Sequence, residues 1–150
     1  MTFGGRIKSI KSVIDVFYTL IFYLIVTCAV HEMSHSLVGN LLGWQSFVSF
    51  PNPFSGWTSF PQWAIMPLSN VIIIAFAGGA ITCLLMMLMS YFTEDWETDL
   101  ILYFIIPMQG IYAIFEIGYI LRYFDIMILG TLPSLLALPI TFWLIKRHHD

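Results

Sequence analysis

Charge is scarce in this sequence, and that scarcity excludes an ordinary soluble domain. Only 10% of the 150 residues are Asp, Glu, Lys or Arg, against 59% hydrophobic; a water-soluble domain carries roughly 25% charged residues. So few charges cannot wrap a core of that size, and the apolar surplus is expected to face lipid. Cysteine is nearly missing as well. Cys28 and Cys83 fall in separate apolar runs, where a thiol reads as a small packing residue rather than half of a disulfide or a metal pair. No basic patch with interleaved aromatics suggests nucleic acid as a partner. Internal repeats, low-complexity tracts and linkers are also lacking, so residues 1–150 read as a single membrane-embedded domain.

Long apolar runs are what the chain has instead. A helix needs about 20 apolar residues to cross the hydrocarbon core, and four segments reach that length: about 13–43, 64–92, 100–121 and 126–145. The expected architecture is an all-α integral membrane protein of four transmembrane helices. Between the first two lies GWQSFVSFPNPFSGWTSFPQW, which carries no charge. Gln45–Phe50, a Pro-Asn-Pro turn and Gly56–Phe60 predict a β-hairpin-like or re-entrant loop, whose aromatics suit the headgroup layer. The next connection, TEDWETD, is acidic and aqueous.

The start, MTFGGRIKSIKSVID, is basic, but the apolar run after it is too long for a signal-peptide core and lacks an A-x-A-like site. It reads as a retained first span. Arg6, Lys8, Lys11, Lys146 and Arg147 share the side of the two termini, and Arg122 alone lies opposite. The positive-inside rule then places both termini in the cytoplasm of a multi-pass cell-membrane protein.

Against this background HEMSH, residues 31–35, stands out. At 100° per residue His31 and His35 differ by about 40° and stack one turn apart, so two imidazoles can converge on one Zn²⁺. Glu32, rotated by about 100°, can reach a water on that ion without occupying a ligand position. Zinc lowers the pKa of such a water toward 7, and a carboxylate can take its proton and return it to a leaving amine. A carboxylate in mid-membrane costs roughly 2.5–3.5 kcal/mol, so a purposeless one is rare. The bland alternative is a set of interhelical hydrogen-bonding groups without metal.

A catalytic zinc takes three protein ligands and keeps one open position. Glu94, Asp95, Glu97 and Asp99 belong to the acidic loop on the other side, and His148 and His149 read as a solvated tail. Glu116 and Asp125 remain. His31 lies about 17 residues into the first span, or about 25 Å at 1.5 Å per residue, and Glu116 lies equally deep in the third, which runs the same way. Asp125 sits at the surface, three residues after Arg122, where a local ion pair explains it. Glu116 is therefore the expected third ligand. Gln109, Tyr112 and Glu116 recur on one helical face, which should turn toward the first span; Gln109 or Tyr112 could orient a ligand or polarise a carbonyl, or simply bond between helices.

HEMSH in a membrane helix, a Gly/aromatic loop, and FAGGAITCLL in the next span together resemble the site-2 protease family of intramembrane zinc metalloproteases. The resemblance covers roughly residues 14–121 and leaves the fourth span as an addition. It implies a three-helix core with His31 and His35 as zinc ligands and Glu32 as catalytic base. Ala77-Gly78-Gly79 matches the family's Gly-Pro segment, with Thr82 where an Asn is common. Pro107-Met108-Gln109-Gly110 has the outline of P-L-D-G, but Gln109 stands where the family's last ligand, an Asp, would be. A neutral amide is a poor zinc ligand, so either Glu116 takes over or the site is degenerate. Many members also place zinc nearer the cytoplasm than the charge distribution does here. The resemblance further implies that strands in the 45–60 loop hold an unwound, membrane-spanning or membrane-associated peptide substrate by edge pairing. A membrane metal-binding or metal-transport protein without proteolysis is the alternative. Diiron chemistry would need more His and carboxylate ligands than the spans supply.

Overall fold

A computed structural model of the chain describes residues 3–123 and 125–149, with side chains for 13–96, 98–123, 125, 128, 129 and 131–147. Arg6, Lys8, Lys11, Glu97, His148 and His149, on which parts of the expectation rest, lie outside the described side chains. The architecture is mostly helical with one small sheet. Its order is α1 (Phe3–Leu41), β1 (Phe47–Asn52), β2 (Ser55–Ser59), a 3-10 turn (Trp63–Ile65), α2 (Leu68–Phe92), α3 (Trp96–Ile120) and α4 (Ile126–His149). Among the described residues three helical segments are long and apolar enough to cross a membrane: Val13–Leu41, Leu68–Phe92 and Thr98–Ile120.

Local chemistry sets the ends of these helices. Gly43, at φ 86°, stops α1: its N–H meets the Asn40 carbonyl at 3.0 Å and the Trp44 N–H meets that of Gly39 at 2.9 Å. This is a Schellman motif with glycine in the left-handed position. The second helix starts at Leu68 rather than near residue 64. Pro67 disfavours helical geometry at Met66, while its own carbonyl accepts from Asn70 and Val71. Asp95 caps α3 by accepting from the Thr98 N–H and hydroxyl.

The hairpin forms where alternation predicted it. β1 and β2 are antiparallel, with Phe47 opposite Ser59 and Val48 opposite Thr58. The turn is closed by Asn52, whose Oδ1 accepts from the Phe54 N–H at 2.9 Å. Gly56 and Thr58 are half-buried while Ser55, Trp57 and Ser59 are exposed, so one face of β2 turns inward.

α2 and α3 pack along each other, with α1 against α2 and α4 against α3. Two apolar clusters bracket the middle of the bundle. One joins Tyr23, Met86, Ile101, Leu102 and Ile105; the other joins Phe60, Met66, Val71 and Ile74. Between them α2 carries Gly78 and Gly79. A Cβ on Gly78 would collide with the His35 and His31 rings, and one on Gly79 would come 2.5 Å from the Gln109 carbonyl oxygen. Small residues let these backbones approach closely, which brings α2 against the polar centre of the molecule.

Candidate metal centre

α1 supplies His31, Glu32 and His35, and α3 supplies Gln109, Tyr112 and Glu116. His31 and His35 are buried, at 7% and 5% exposure, and Gln109 at 6%. The expected inward face of α3 therefore meets α1. The two Nε2 atoms lie 3.1 Å apart. Glu116 reaches both: Oε1 is 3.1 Å from His35 Nε2 and Oε2 is 3.4 Å from His31 Nε2. Among the described residues these three form the one group whose ligand atoms lie within 4.8 Å of one another.

The outward nitrogens explain how the rings are held. His35 Nδ1 lies 2.6 Å from the Ile74 carbonyl oxygen, which can only accept, so Nδ1 carries the proton. His31 Nδ1 lies 3.1 Å from Gln109 Oε1 and donates to it in the same way. In the neutral imidazoles each Nε2 is then left with a lone pair, and two lone pairs 3.1 Å apart repel. A cation between them, metal or proton, removes the repulsion. Glu116 Oε2 is buried and has no hydrogen-bond partner; its 3.4 Å approach to His31 is an electrostatic contact only.

These donors fit a zinc ion. Ligands about 2.0–2.1 Å from a tetrahedral ion stand about 3.3–3.4 Å from one another, and the contacts here are 3.1, 3.1 and 3.4 Å. Ligating imidazoles normally donate their second nitrogen to a carbonyl or carboxylate, which is what Ile74 and Gln109 accept.

Glu32 stands beside this trio, half-buried. The Thr58 hydroxyl lies 2.9 Å from its Oε2 and 2.8 Å from its backbone oxygen, so one proton, shared between the two oxygens, ties Glu32 to β2. A cavity of about 540 Å³ is lined by Glu32, His35, Tyr112 and Glu116 together with Gly56–Phe60 of the hairpin. A smaller one, about 260 Å³, is lined by Glu32, His31, Cys28, Tyr112 and the Phe54–Gly56 turn. Glu32 and Tyr112 thus stand on walls of both. The Tyr112 ring packs edge-on against His31, with centroids 5.1 Å apart.

Several sequence expectations fare differently. The structure brings His31, His35, Glu32 and Glu116 together and leaves Asp125 outside. The expected Arg122–Asp125 ion pair does not form among the described residues. Asp125 Oδ1 instead accepts from the Ile128 N–H at 2.9 Å, capping α4. Thr82 is fully buried and donates to the Gly78 carbonyl of its own helix at 2.7 Å. Gln109 supports a histidine rather than joining the ligand set. Sequence reasoning missed Thr58 and the Ile74 carbonyl. Alternation in β2 marks Thr58 as inward-facing, but nothing in a sequence announces which carbonyl an imidazole will meet.

No family model, curated protein or solved structure matches the chain.

Proposed function

We propose that this chain is an intramembrane zinc metalloprotease that hydrolyses peptide bonds in or near the bilayer. The observation that carries the reading is the convergence of two imidazole nitrogens and the half-buried Glu116 carboxylate beside Glu32, next to a cavity walled by a β-strand. His31, His35 and Glu116 would hold the ion. When bound, zinc supplies Lewis acidity toward water and toward the peptide carbonyl.

The chain's own residues do the rest. Glu32 accepts the proton of the attacking water and later delivers it to the departing amine. Thr58 keeps the Glu32 carboxylate turned to the cavity. The Tyr112 hydroxyl donates to the carbonyl oxygen as charge develops there, the task of an oxyanion hole. β2 is paired with β1 on one side only, and its other edge is available to an unwound substrate segment. Transmembrane helices hide their peptide bonds, so a protease acting on one must first present it extended.

α4 completes the domain as a fourth crossing in this reading. Its 24 residues span about 36 Å, and Leu135, Leu136, Leu138, Ile140, Phe142 and Trp143 are exposed as lipid-facing residues would be. Four crossings return the C-terminus to the side of the N-terminus, the cytoplasm by the basic residues there.

Metal analysis of purified chain together with a cleavage assay tests the proposal. Wild type should carry one zinc per chain and cleave. Glu32→Ala should keep zinc and lose cleavage, and cleavage surviving that change would refute the mechanism. A second reading rests on the His–Glu contacts themselves: a proton in place of zinc makes the trio a buried ion-pair cluster joining α1 to α3. That protein would purify without stoichiometric metal and would melt unchanged after chelation.

A further inference from the structure

α3 ends in the same backbone motif as α1. The Arg122 N–H meets the Tyr119 carbonyl at 2.9 Å and the Tyr123 N–H meets that of Gly118 at 2.8 Å. At the left-handed position, where α1 has Gly43, α3 has Arg122 at φ 62°. That conformation is uncommon for a residue with a side chain. An arginine there gains nothing for the backbone, so its side chain is the place to look for a reason.

Arg122 lines a cavity of about 470 Å³ with Trp63, Tyr119, Ile120, Tyr123 and Asp125. Two opposite charges border this space without an ion pair between them. One Asp125 oxygen is occupied by the α4 N-terminus; among the described residues the other has no hydrogen bond. Three aromatic rings complete the walls, and Arg122 sits two residues past the apolar Thr98–Ile120 segment. That is the depth of the headgroup layer, where Trp and Tyr gather.

We propose that this cleft binds the headgroup of a zwitterionic phospholipid. The phosphate lies on Arg122, whose planar fork matches its oxygens. The positively charged amine lies between Asp125 and the aromatic faces, which attract cations. A ligand with only a negative charge, such as a peptide carboxylate or a purely anionic lipid, would meet Asp125 unfavourably. The paired charges of the cleft therefore favour a zwitterion.

The test uses the full chain in detergent, with native mass spectrometry and thermal melting. The added probes are phosphatidylcholine, phosphatidylethanolamine, phosphatidylglycerol and a short acidic peptide. The two zwitterionic lipids should bind and raise the melting temperature. Arg122→Gly should weaken that binding about tenfold while melting no lower than wild type without lipid, since glycine accepts the backbone angle. Asp125→Asn keeps an acceptor for the Ile128 N–H and should shift preference toward phosphatidylglycerol. Equal binding of phosphatidylglycerol by wild type would overturn the proposal. So would zwitterionic binding unaffected by either variant, or retention of the acidic peptide alone.

Discussion

Glu32 and Glu116 are two carboxylates in one small volume, given different work by their neighbours. Glu116 faces imidazole nitrogens at 3.1 and 3.4 Å, whereas Glu32 faces a hydroxyl and open cavity. Their replacements should therefore separate. Glu32→Gln is expected to lower kcat by roughly 10²–10⁴ with zinc retained, measured by metal content beside single-turnover cleavage. Glu116→Gln should instead lose the metal. Gln109→Ala, which strips His31 Nδ1 of its acceptor, should weaken zinc affinity by roughly 10–100-fold in a chelator-competition titration. Tyr112→Phe is expected to reduce kcat by roughly 10²-fold with KM little changed. Much of this centre is legible in HEMSH, because helical period alone stacks the histidines. Glu116 followed from equal depth in parallel spans. Gln109 was legible as an inward residue but not in its role, since its oxygen meets a ring nitrogen that only the packing of α1 on α3 defines. Asp125 was misjudged because a charge three residues away looked like a partner, while an unsatisfied helix N–H claimed the carboxylate first.

Among the elements, α2 contributes no ligand and yet sets the site's dimensions. Its carbonyl at Ile74 orients His35, and Gly78 lies flush against both imidazoles. Gly78→Ala should push α2 away, lower the melting temperature and reduce zinc retention. Gly110→Ala is the matched control. Its Cβ would meet only the Cys83 sulfur, at an ordinary 3.6 Å, and alanine favours helix by about 1 kcal/mol over glycine. Differential scanning of the two variants should move them in opposite directions. The hairpin could be read from alternation and its Pro-Asn-Pro turn. That β2, rather than β1, borders the cavity could not, because the choice depends on how Phe60 and Thr58 dock onto α1. Thr58→Val retains shape but removes the hydroxyl holding Glu32, and should cost about tenfold in cleavage with zinc content unchanged.

For the whole molecule, the apolar surface states the environment more clearly than any single residue. Phe17, Phe22, Leu37, Leu84, Leu88 and Ile114 are exposed along the three apolar helices, an arrangement consistent with a membrane protein. The polar trio lies between two apolar clusters, and the cavities beside the hairpin border it. Four crossings would put residue 146 on the same side as the N-terminus and Arg122 on the other. Labelling of single cysteines introduced at these positions with a membrane-impermeant thiol reagent, in a chain freed of Cys28 and Cys83, checks this. Extended X-ray absorption at the zinc edge on purified wild-type chain addresses the centre itself most directly. The expected spectrum is stoichiometric zinc with nitrogen and oxygen scatterers at about 2.0–2.1 Å, two of them imidazoles. Absence of stoichiometric zinc, or sulfur at about 2.3 Å, would contradict a site built from His31, His35 and Glu116.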